Sequence, residues 1–171
     1  MNTLAHLADK KSAWLLLFAS ALALILTALY FQYGMGLEPC IKCIYQRTAT
    51  FGICLSALLP LLYQHGLTRT LAFIGWGISA IWGLLIAIEH VEIQTAANPF
   101  FASCEFVPNF PEFLALHEWL PGLFAATGDC GNIDWAFLGL SMPMWMIVIF
   151  SLYSLTFVVV LFSRLLKLKR V

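Results

Sequence analysis

The chain has 171 residues, of which 61 % are hydrophobic and 11 % are charged. Ordinary soluble domains have about 45–50 % apolar and about 25 % charged residues, so the composition argues against a soluble globule and against a disordered chain. The formal net charge is zero, which by itself indicates neither a nucleic-acid partner nor an acidic one. Lipid is therefore the expected solvent for much of the surface.

Four stretches poor in charged residues are long enough for membrane-spanning helices, each of which needs about 20 apolar residues. We expect spans at residues 13–31, 44–63, 70–88 and 143–163. The first stretch has a long apolar core and no convincing small-residue cleavage site after it, so it is interpreted as a span rather than a signal peptide. The predicted fold is an all-α membrane protein, a four-transmembrane-helix bundle that forms a single domain over residues 1–171.

The distribution of charge predicts the orientation of this bundle. Seven of the nine Lys and Arg residues precede the first span, separate the second from the third, or follow the fourth, whereas eight of the nine acidic residues lie on the other side. Basic residues in short loops are retained in the cytoplasm. Both termini are therefore predicted to be cytoplasmic, with two outer loops at about residues 32–43 and 89–142.

The long outer loop contains a segment, residues 111–121, that is bounded by prolines and rich in aromatic side chains. Such a segment is typical of a short helix lying in the membrane interface, where aromatic rings settle at headgroup depth. The alternative is a loop packed on top of the bundle.

Five cysteines are present, and four of them fall in the two outer loops: Cys40, Cys43, Cys104 and Cys130, with Cys54 inside the second span. None lies in a predicted cytoplasmic segment, which suits thiols exposed to an oxidising compartment. The even number in the outer loops allows two disulfides.

Cys40 and Cys43 form a C-x-x-C motif just before the second span. A structural disulfide across four residues removes little entropy from the unfolded chain, and a zinc site commonly needs a second close pair of ligands, which Cys104 and Cys130 do not form. Thiol–disulfide exchange is favoured, because a helix N-terminus and a nearby cation lower a thiol pKa. We expect both features at Cys43, which Lys42 precedes and Arg47 follows by one helical turn.

Cys104 and Cys130 bracket the proline-bounded segment. A loop-closing disulfide between them would be worth roughly 3–4 kcal/mol in the chain-entropy model, which makes a structural role a serious alternative. Their polar, glycine-containing surroundings indicate instead sulfurs that another thiolate could attack. Two exposed pairs on one side of a membrane suggest an electron relay from a soluble dithiol to an acceptor in the lipid.

Over nearly its whole length the chain resembles the DsbB disulfide-bond formation proteins, bacterial inner-membrane enzymes that reoxidise DsbA with quinone and so keep the periplasm oxidising. The motifs that carry the resemblance are Glu38-Pro39-Cys40-Ile41-Lys42-Cys43-Ile44-Tyr45-Gln46-Arg47, Glu89-His90, Cys104, Gly128-Asp129-Cys130 and Phe137-Leu138-Gly139-Leu140-Ser141-Met142-Pro143.

The resemblance implies a catalytic role for each outer cysteine. Cys104 would receive the thiolate of a DsbA-type periplasmic thioredoxin-fold protein as a mixed disulfide, and the released Cys130 would attack Cys40. Cys43 would then be freed as a thiolate facing the quinone, which is ubiquinone or menaquinone. Cys54 is additional to these four residues, and no metal ligand is expected.

The resemblance also implies a quinone site at the outer leaflet, formed by Arg47, Glu89, His90, Gln32 and Met142. A snorkelling arginine and an interfacial histidine are the alternatives for Arg47 and His90, since charged groups at helix ends commonly reach the headgroups.

The predicted function is that of a quinone-dependent thiol oxidase. Two alternatives remain from the sequence. One is a quinone-linked disulfide reductase of the vitamin K epoxide reductase type, whose C-x-x-C would be expected near the last helix. The other is a non-enzymatic membrane anchor with two structural disulfides.

Overall fold

The structure is a computed structural model that describes residues 9–96, 108–111 and 114–168. In chain order its elements are α1 (Lys11–Leu29) with a π-helical extension (Tyr30–Gly34), α2 (Ile41–Leu62), α3 (Gly66–Thr95), α4 (Leu116–Trp119), α5 (Pro121–Phe124), β1 (Ala136–Phe137), β2 (Leu140–Ser141) and α6 (Met142–Leu168). The described part of the chain therefore contains four long helices, at the places where the sequence predicts them.

Among the residues that the structure describes, three segments are long and apolar enough to cross a membrane: Lys11–Gly34, Gly66–Thr95 and Met142–Leu166. Helix α2 is not among them, because Lys42, Gln46 and Arg47 in its first two turns lower its mean hydropathy. These polar side chains all lie at the end of α2 that forms the candidate site described below.

Helix α2 packs between α1 and α3, and α3 packs against α6. Small residues line these contacts, including the fully buried Ala49, Ala57 and Ala80. At Gly83 of α3 an added Cβ would lie 2.3 Å from the ring of Phe150 on α6, so the two helices can approach this closely only because a glycine is there.

At one end of the bundle Asp9 joins the start of the chain to two helices. Its Oδ1 lies 2.7 Å from Nη1 of Arg69 on α3 and 3.3 Å from Nη1 of Arg164 on α6. Three of the segments that the charge pattern assigns to one side of the membrane therefore meet at the same end of the bundle.

In the described part of residues 111–121, α-helix is confined to the single turn α4 and to Pro121, where α5 begins. Two four-residue helical turns, α4 and α5, are separated at Leu120, which has φ −133° and ψ 63°. The ring of Pro121 disfavours the helical conformation for the residue before it, which explains the break. Trp119 is exposed, whereas Phe124 at the end of α5 is buried.

The sequence did not predict the small hairpin that precedes α6. Strands β1 and β2 pair antiparallel, with Ala136 opposite Ser141 and Phe137 opposite Leu140. Leu138 and Gly139 form the turn, and both have positive φ, 52° and 78°. Positive φ at both turn positions is typical of the type I′ turns that match the twist of a hairpin.

Candidate active site

Cys40 begins α2 as its N-cap residue. It follows Pro39, has an extended backbone (φ −78°, ψ 170°), and its Sγ accepts a hydrogen bond from the backbone N–H of Cys43 at 3.4 Å. The sulfur of Cys40, rather than that of Cys43, therefore occupies the position where free N–H groups and the helix dipole favour negative charge.

The second outer loop is attached to this segment by backbone hydrogen bonds. The N–H groups of Thr127 and Gly128 both donate to the carbonyl oxygen of Pro39, at 2.9 and 3.1 Å. A Cβ on Gly128 would lie 2.3 Å from the carbonyl oxygen of Glu38, so a glycine is required for this approach. The contact holds Cys130, two residues further on, beside Cys40.

Cys130 is disulfide-bonded and almost fully buried, whereas Cys40, Cys43 and Cys54 are free thiols. Cys104 lies outside the described residues. The Sγ of Cys130, the Sγ of Cys40 and a ring nitrogen of His90 all lie within 4.8 Å of one another. A disulfide sulfur thus stands next to a thiol of the C-x-x-C motif.

The two thiols of the motif contact each other, with Sγ atoms 2.9 Å apart. The hydrogen bond from Cys43 is the main reason that the pKa of Cys40 falls to about 5, against the opposing effect of burial, and His90 lowers it further. The same interaction and burial raise the pKa of Cys43, which Arg47 lowers more weakly. The sequence predicted that Cys43 is the more acidic thiol of the pair, whereas in the structure the more acidic thiol is Cys40.

His90 comes from α3 and is held between two residues near the start of α2. Its Nε2 lies 3.5 Å from Cys40 Sγ, and its Nδ1 lies 3.3 Å from Nε2 of Gln46. Both His90 and Gln46 are buried. If the Gln46 amide donates to Nδ1, the ring proton is on Nε2 and points at Cys40, where it stabilises a thiolate.

Arg47 is buried, only 6 % exposed, although it is charged. Its Nη1 donates to Oε1 of Gln32 at 2.7 Å and to the carbonyl oxygen of Leu123 at 2.6 Å. Its Nε is also buried and has no hydrogen-bond partner within the part of the chain that the structure describes. A buried N–H of a guanidinium is therefore available to an acceptor.

A cavity of about 120 Å³ opens among these residues. Its apolar wall comes from α1 and α6 and includes Leu24, Ala28, Met142 and Met146. Its polar wall includes Gln32, Cys40, Cys43, Gln46, Arg47 and His90, together with the acidic Glu38, Asp129 and Asp134.

The structure thus brings together most of the site residues predicted from the sequence. The exception among the described residues is Glu89, which does not line the cavity. Its side chain is 56 % exposed and forms an ion pair with Lys42, with Nζ and Oε2 2.7 Å apart.

Sequence reasoning assigned no role to Gln46, which the structure places against His90. One signal was available, since Gln46 is a polar residue three positions after Cys43, and residues three apart share a helix face.

Fold and site together define a helical membrane protein in which a dithiol, with Cys40 buried and Cys43 half-buried, lies next to a disulfide. A sequence model of the family described as "Disulfide bond formation protein DsbB" matches residues 10–160. The chain belongs to the DsbB family.

Proteins named "Disulfide bond formation protein B" are similar to this chain over nearly its whole length. One from Pseudoalteromonas atlantica is 62 % identical and the alignment covers 96 % of both proteins. One from Pseudoalteromonas translucida is 53 % identical with the same coverage. One from Psychromonas ingrahamii is 50 % identical over 99 % of this chain and 92 % of that protein. As a member of this family, the chain is a membrane protein that acts in the formation of disulfide bonds.

Proposed function

We propose that this protein is a quinone-dependent thiol oxidase that reoxidises a DsbA-type periplasmic dithiol protein. The observation that carries the proposal is the position of Cys130, whose sulfur lies within 4.8 Å of Cys40 Sγ at the edge of the cavity that holds Arg47 and His90. One cysteine of each predicted pair therefore lies close to the other, beside the cavity proposed for the acceptor.

At the start of the thiol relay the donor protein is reduced, and the Cys40–Cys43 motif of this chain is oxidised to a disulfide. A donor thiolate attacks Cys104 in a Cys104–Cys130 disulfide, and Cys130 leaves as a thiolate. The second donor thiol then attacks the mixed disulfide and releases Cys104, so the donor is oxidised. Cys130 attacks Cys40 in the Cys40–Cys43 disulfide, and Cys43 leaves as a thiolate. Cys104 then attacks Cys130 in the Cys40–Cys130 disulfide, which re-forms Cys104–Cys130, releases Cys40 and leaves the electron pair on the Cys40–Cys43 dithiol.

Release of Cys43 changes which sulfur carries the negative charge. In the dithiol, Cys40 is the more acidic thiol and its contact with Cys43 keeps the latter protonated. Once Cys40 is bound in a disulfide with Cys130, the thiolate that opposed ionisation of Cys43 is gone, whereas the attraction of Arg47 remains. Cys43 is then the thiolate next to the cavity.

The residues around the cavity support quinone binding. At about 120 Å³ the cavity is smaller than the roughly 150 Å³ cavity that holds benzene in another protein, so it would have to widen to enclose the larger ring of a quinone. Its apolar wall suits the ring, and the buried Nε–H of Arg47 can donate to a carbonyl oxygen. When bound, a quinone accepts two electrons and two protons and becomes a quinol. Gln32, Arg47, His90 and Met142 are the residues that would hold it.

The charge pattern supports a bacterial inner-membrane topology with four spans and both termini in the cytoplasm. In this arrangement the end marked by Asp9, Arg69 and Arg164 faces the cytoplasm. The cavity and all four relay cysteines face the periplasm, where a soluble thioredoxin-fold partner can reach them. Helix α2 crosses as the second span, with its polar first turns at the periplasmic surface.

The decisive experiment is an anaerobic assay of the purified protein with a reduced DsbA-type donor and either ubiquinone or menaquinone. We expect one quinol formed for each donor disulfide, and no reaction for Cys43→Ala. Cys54→Ala serves as the matched control, because it removes a cysteine outside the relay. Donor oxidation without quinol formation, or full turnover in Cys43→Ala, would contradict the proposal.

A further inference from the structure

We propose that the reduced site binds one Zn²⁺ through Cys40, Cys43, Cys130 and His90. In chain order Cys40, Cys43, His90 and Cys130 are separated by 3, 47 and 40 residues, so their spacing gives no zinc motif. The fold brings the donor atoms of three of them, Cys40, Cys130 and His90, within 4.8 Å of one another. Cys43 completes the set from the first turn of α2.

The distance between His90 and Cys40 matches a tetrahedral zinc site, whereas the two thiols of the C-x-x-C motif would have to move apart. With Zn–S of about 2.3 Å and Zn–N of about 2.0 Å, a sulfur and a nitrogen on the same ion lie about 3.5 Å apart and two sulfurs about 3.8 Å. His90 Nε2 is 3.5 Å from Cys40 Sγ. The sulfurs of Cys40 and Cys43 are 2.9 Å apart and would have to separate by roughly 1 Å to bind one ion.

Three cysteines and one histidine are a common donor set of structural zinc sites. Zinc-binding histidines almost always hydrogen-bond through the other ring nitrogen, which fixes their orientation. Gln46 lies at that position, 3.3 Å from Nδ1 of His90. When Nε2 binds the metal, Nδ1 carries the proton, and a rotated Gln46 amide accepts it through its oxygen.

The surroundings also favour a cation. Glu38, Asp129 and Asp134 line the same cavity and give a divalent cation an acidic path to the thiols. Three thiolates on Zn²⁺ carry a net charge of −1, and the buried guanidinium of Arg47 lies near enough to Cys43 to offset it.

The site depends on the redox state, because Cys130 is disulfide-bonded in this structure and a disulfide sulfur is a poor ligand. Reduction creates the ligand, and zinc then displaces the thiol protons without any transfer of electrons. A metal-bound dithiol cannot form a disulfide until the metal leaves. Resting on the function proposed above, we infer that zinc inhibits the reduced enzyme and that a chelator restores it.

The test measures metal binding directly, so that it does not depend on quinone activity. The detergent-purified protein is reduced, freed of reductant without oxygen, and titrated with Co²⁺ as a spectroscopic substitute for zinc. We expect one Co²⁺ per chain, with thiolate charge-transfer bands and the d–d bands of a tetrahedral site. Zn²⁺ should displace it and protect the three cysteines from alkylation.

Three variants and the redox state provide the controls. Cys130→Ser and His90→Ala should each weaken Co²⁺ binding at least tenfold, and the oxidised protein should show no tetrahedral spectrum. Cys54→Ser should bind like the parent chain. Absence of binding to the reduced protein, or binding unchanged in Cys130→Ser, would overturn the proposal. Metal binding in a preparation that reduces no quinone would refute the proposed function alone.

Discussion

The imidazole of His90 and the thiol of Cys40 lie side by side although 50 residues separate them, with Nε2 3.5 Å from Sγ. Helix α3 supplies the histidine and the N-terminus of α2 supplies the cysteine. Because the same sulfur also accepts the N–H of Cys43, several donors converge on it. This arrangement stabilises a thiolate in a largely apolar setting.

We predict that His90→Ala makes Cys40 less acidic. Hydrogen bonds to the ionised sulfur favour the thiolate, so removing one raises the pH at which the thiol ionises. In the reduced parent chain, alkylation of Cys40 followed by mass spectrometry should show a midpoint near the pKa of about 5. A rise of one pH unit in His90→Ala would make alkylation at pH 5 about fivefold slower. Identical midpoints would contradict this role.

Arg47→Gln should impair use of the quinone rather than use of the donor. The guanidinium contacts Gln32 and the Leu123 carbonyl and leaves its Nε–H for an acceptor in the cavity. Loss of a charged hydrogen bond of about 1.5–3 kcal/mol corresponds to a rise of roughly tenfold or more in the quinone KM.

Arg47→Lys is the matched control for this prediction. It keeps the positive charge and loses the planar fork, so we expect a smaller rise in the quinone KM. An unchanged quinone KM combined with a raised donor KM in Arg47→Gln would show that Arg47 acts elsewhere.

Features of the site that depend on local sequence could be predicted, and those that depend on distant contacts could not. The charge pattern located the long helices, because a membrane span is a local property of composition. The contact of Thr127 and Gly128 with Pro39, and that of Gln46 with His90, join segments 44 to 89 residues apart. Helical periodicity in either segment carries no information about such a partner.

Local signals failed where the backbone conformation was unusual. The hairpin before α6 turns at Leu138-Gly139, which lacks the Asn-Gly or Asp-Gly pair that marks such turns. Leu138 adopts positive φ without that signal, and its side chain is 77 % exposed. In the described part of residues 111–120 the helix is limited to α4, and Pro121 disfavours the helical conformation of Leu120, which ends it.

Replacement of Cys130 should trap the chain as a mixed disulfide with its donor protein. In the parent chain both Cys130 and the second donor thiol can resolve the mixed disulfide at Cys104. Without Cys130 only the donor thiol is left, so the complex should accumulate above its level in the parent chain. Cys130→Ser expressed under oxidising conditions should run as a complex on non-reducing gels and dissociate with reductant. Cys104→Ser should give no complex, and a complex in that variant would contradict the relay order.

The topology is testable with single cysteines at exposed positions in a background that lacks the five native ones. Gly66 is suited to this test, because an added Cβ there meets nothing within 4 Å and the residue lies three positions before Arg69. Gly66→Cys should be protected in intact cells from a membrane-impermeant maleimide, whereas Ile133→Cys in the outer loop should react. Labelling of Gly66→Cys from outside would contradict the proposed topology and indicate the opposite orientation.

Cys54→Ala should retain full quinone reduction by the donor dithiol. Cys54 lies on α2 eleven residues after Cys43, which at about 1.5 Å per residue separates them by roughly 16 Å along the axis. A disulfide requires Cα atoms roughly 4.4–6.8 Å apart, so the two cannot pair. The side chain is buried in the core with Ile53 and Trp76, where it acts as a small apolar group.

The cost of this substitution should appear in stability alone. Removing one buried sulfur leaves a small void, for which we expect a loss of about 1 kcal/mol in the free energy of unfolding. Thermal unfolding in detergent, measured alongside turnover, separates the two effects. A slightly lower Tm with unchanged kcat is the expected result. A large fall in kcat at unchanged quinone content would show that Cys54 takes part in the relay, because a packing defect so far from Cys43 would not alter sulfur chemistry at the cavity.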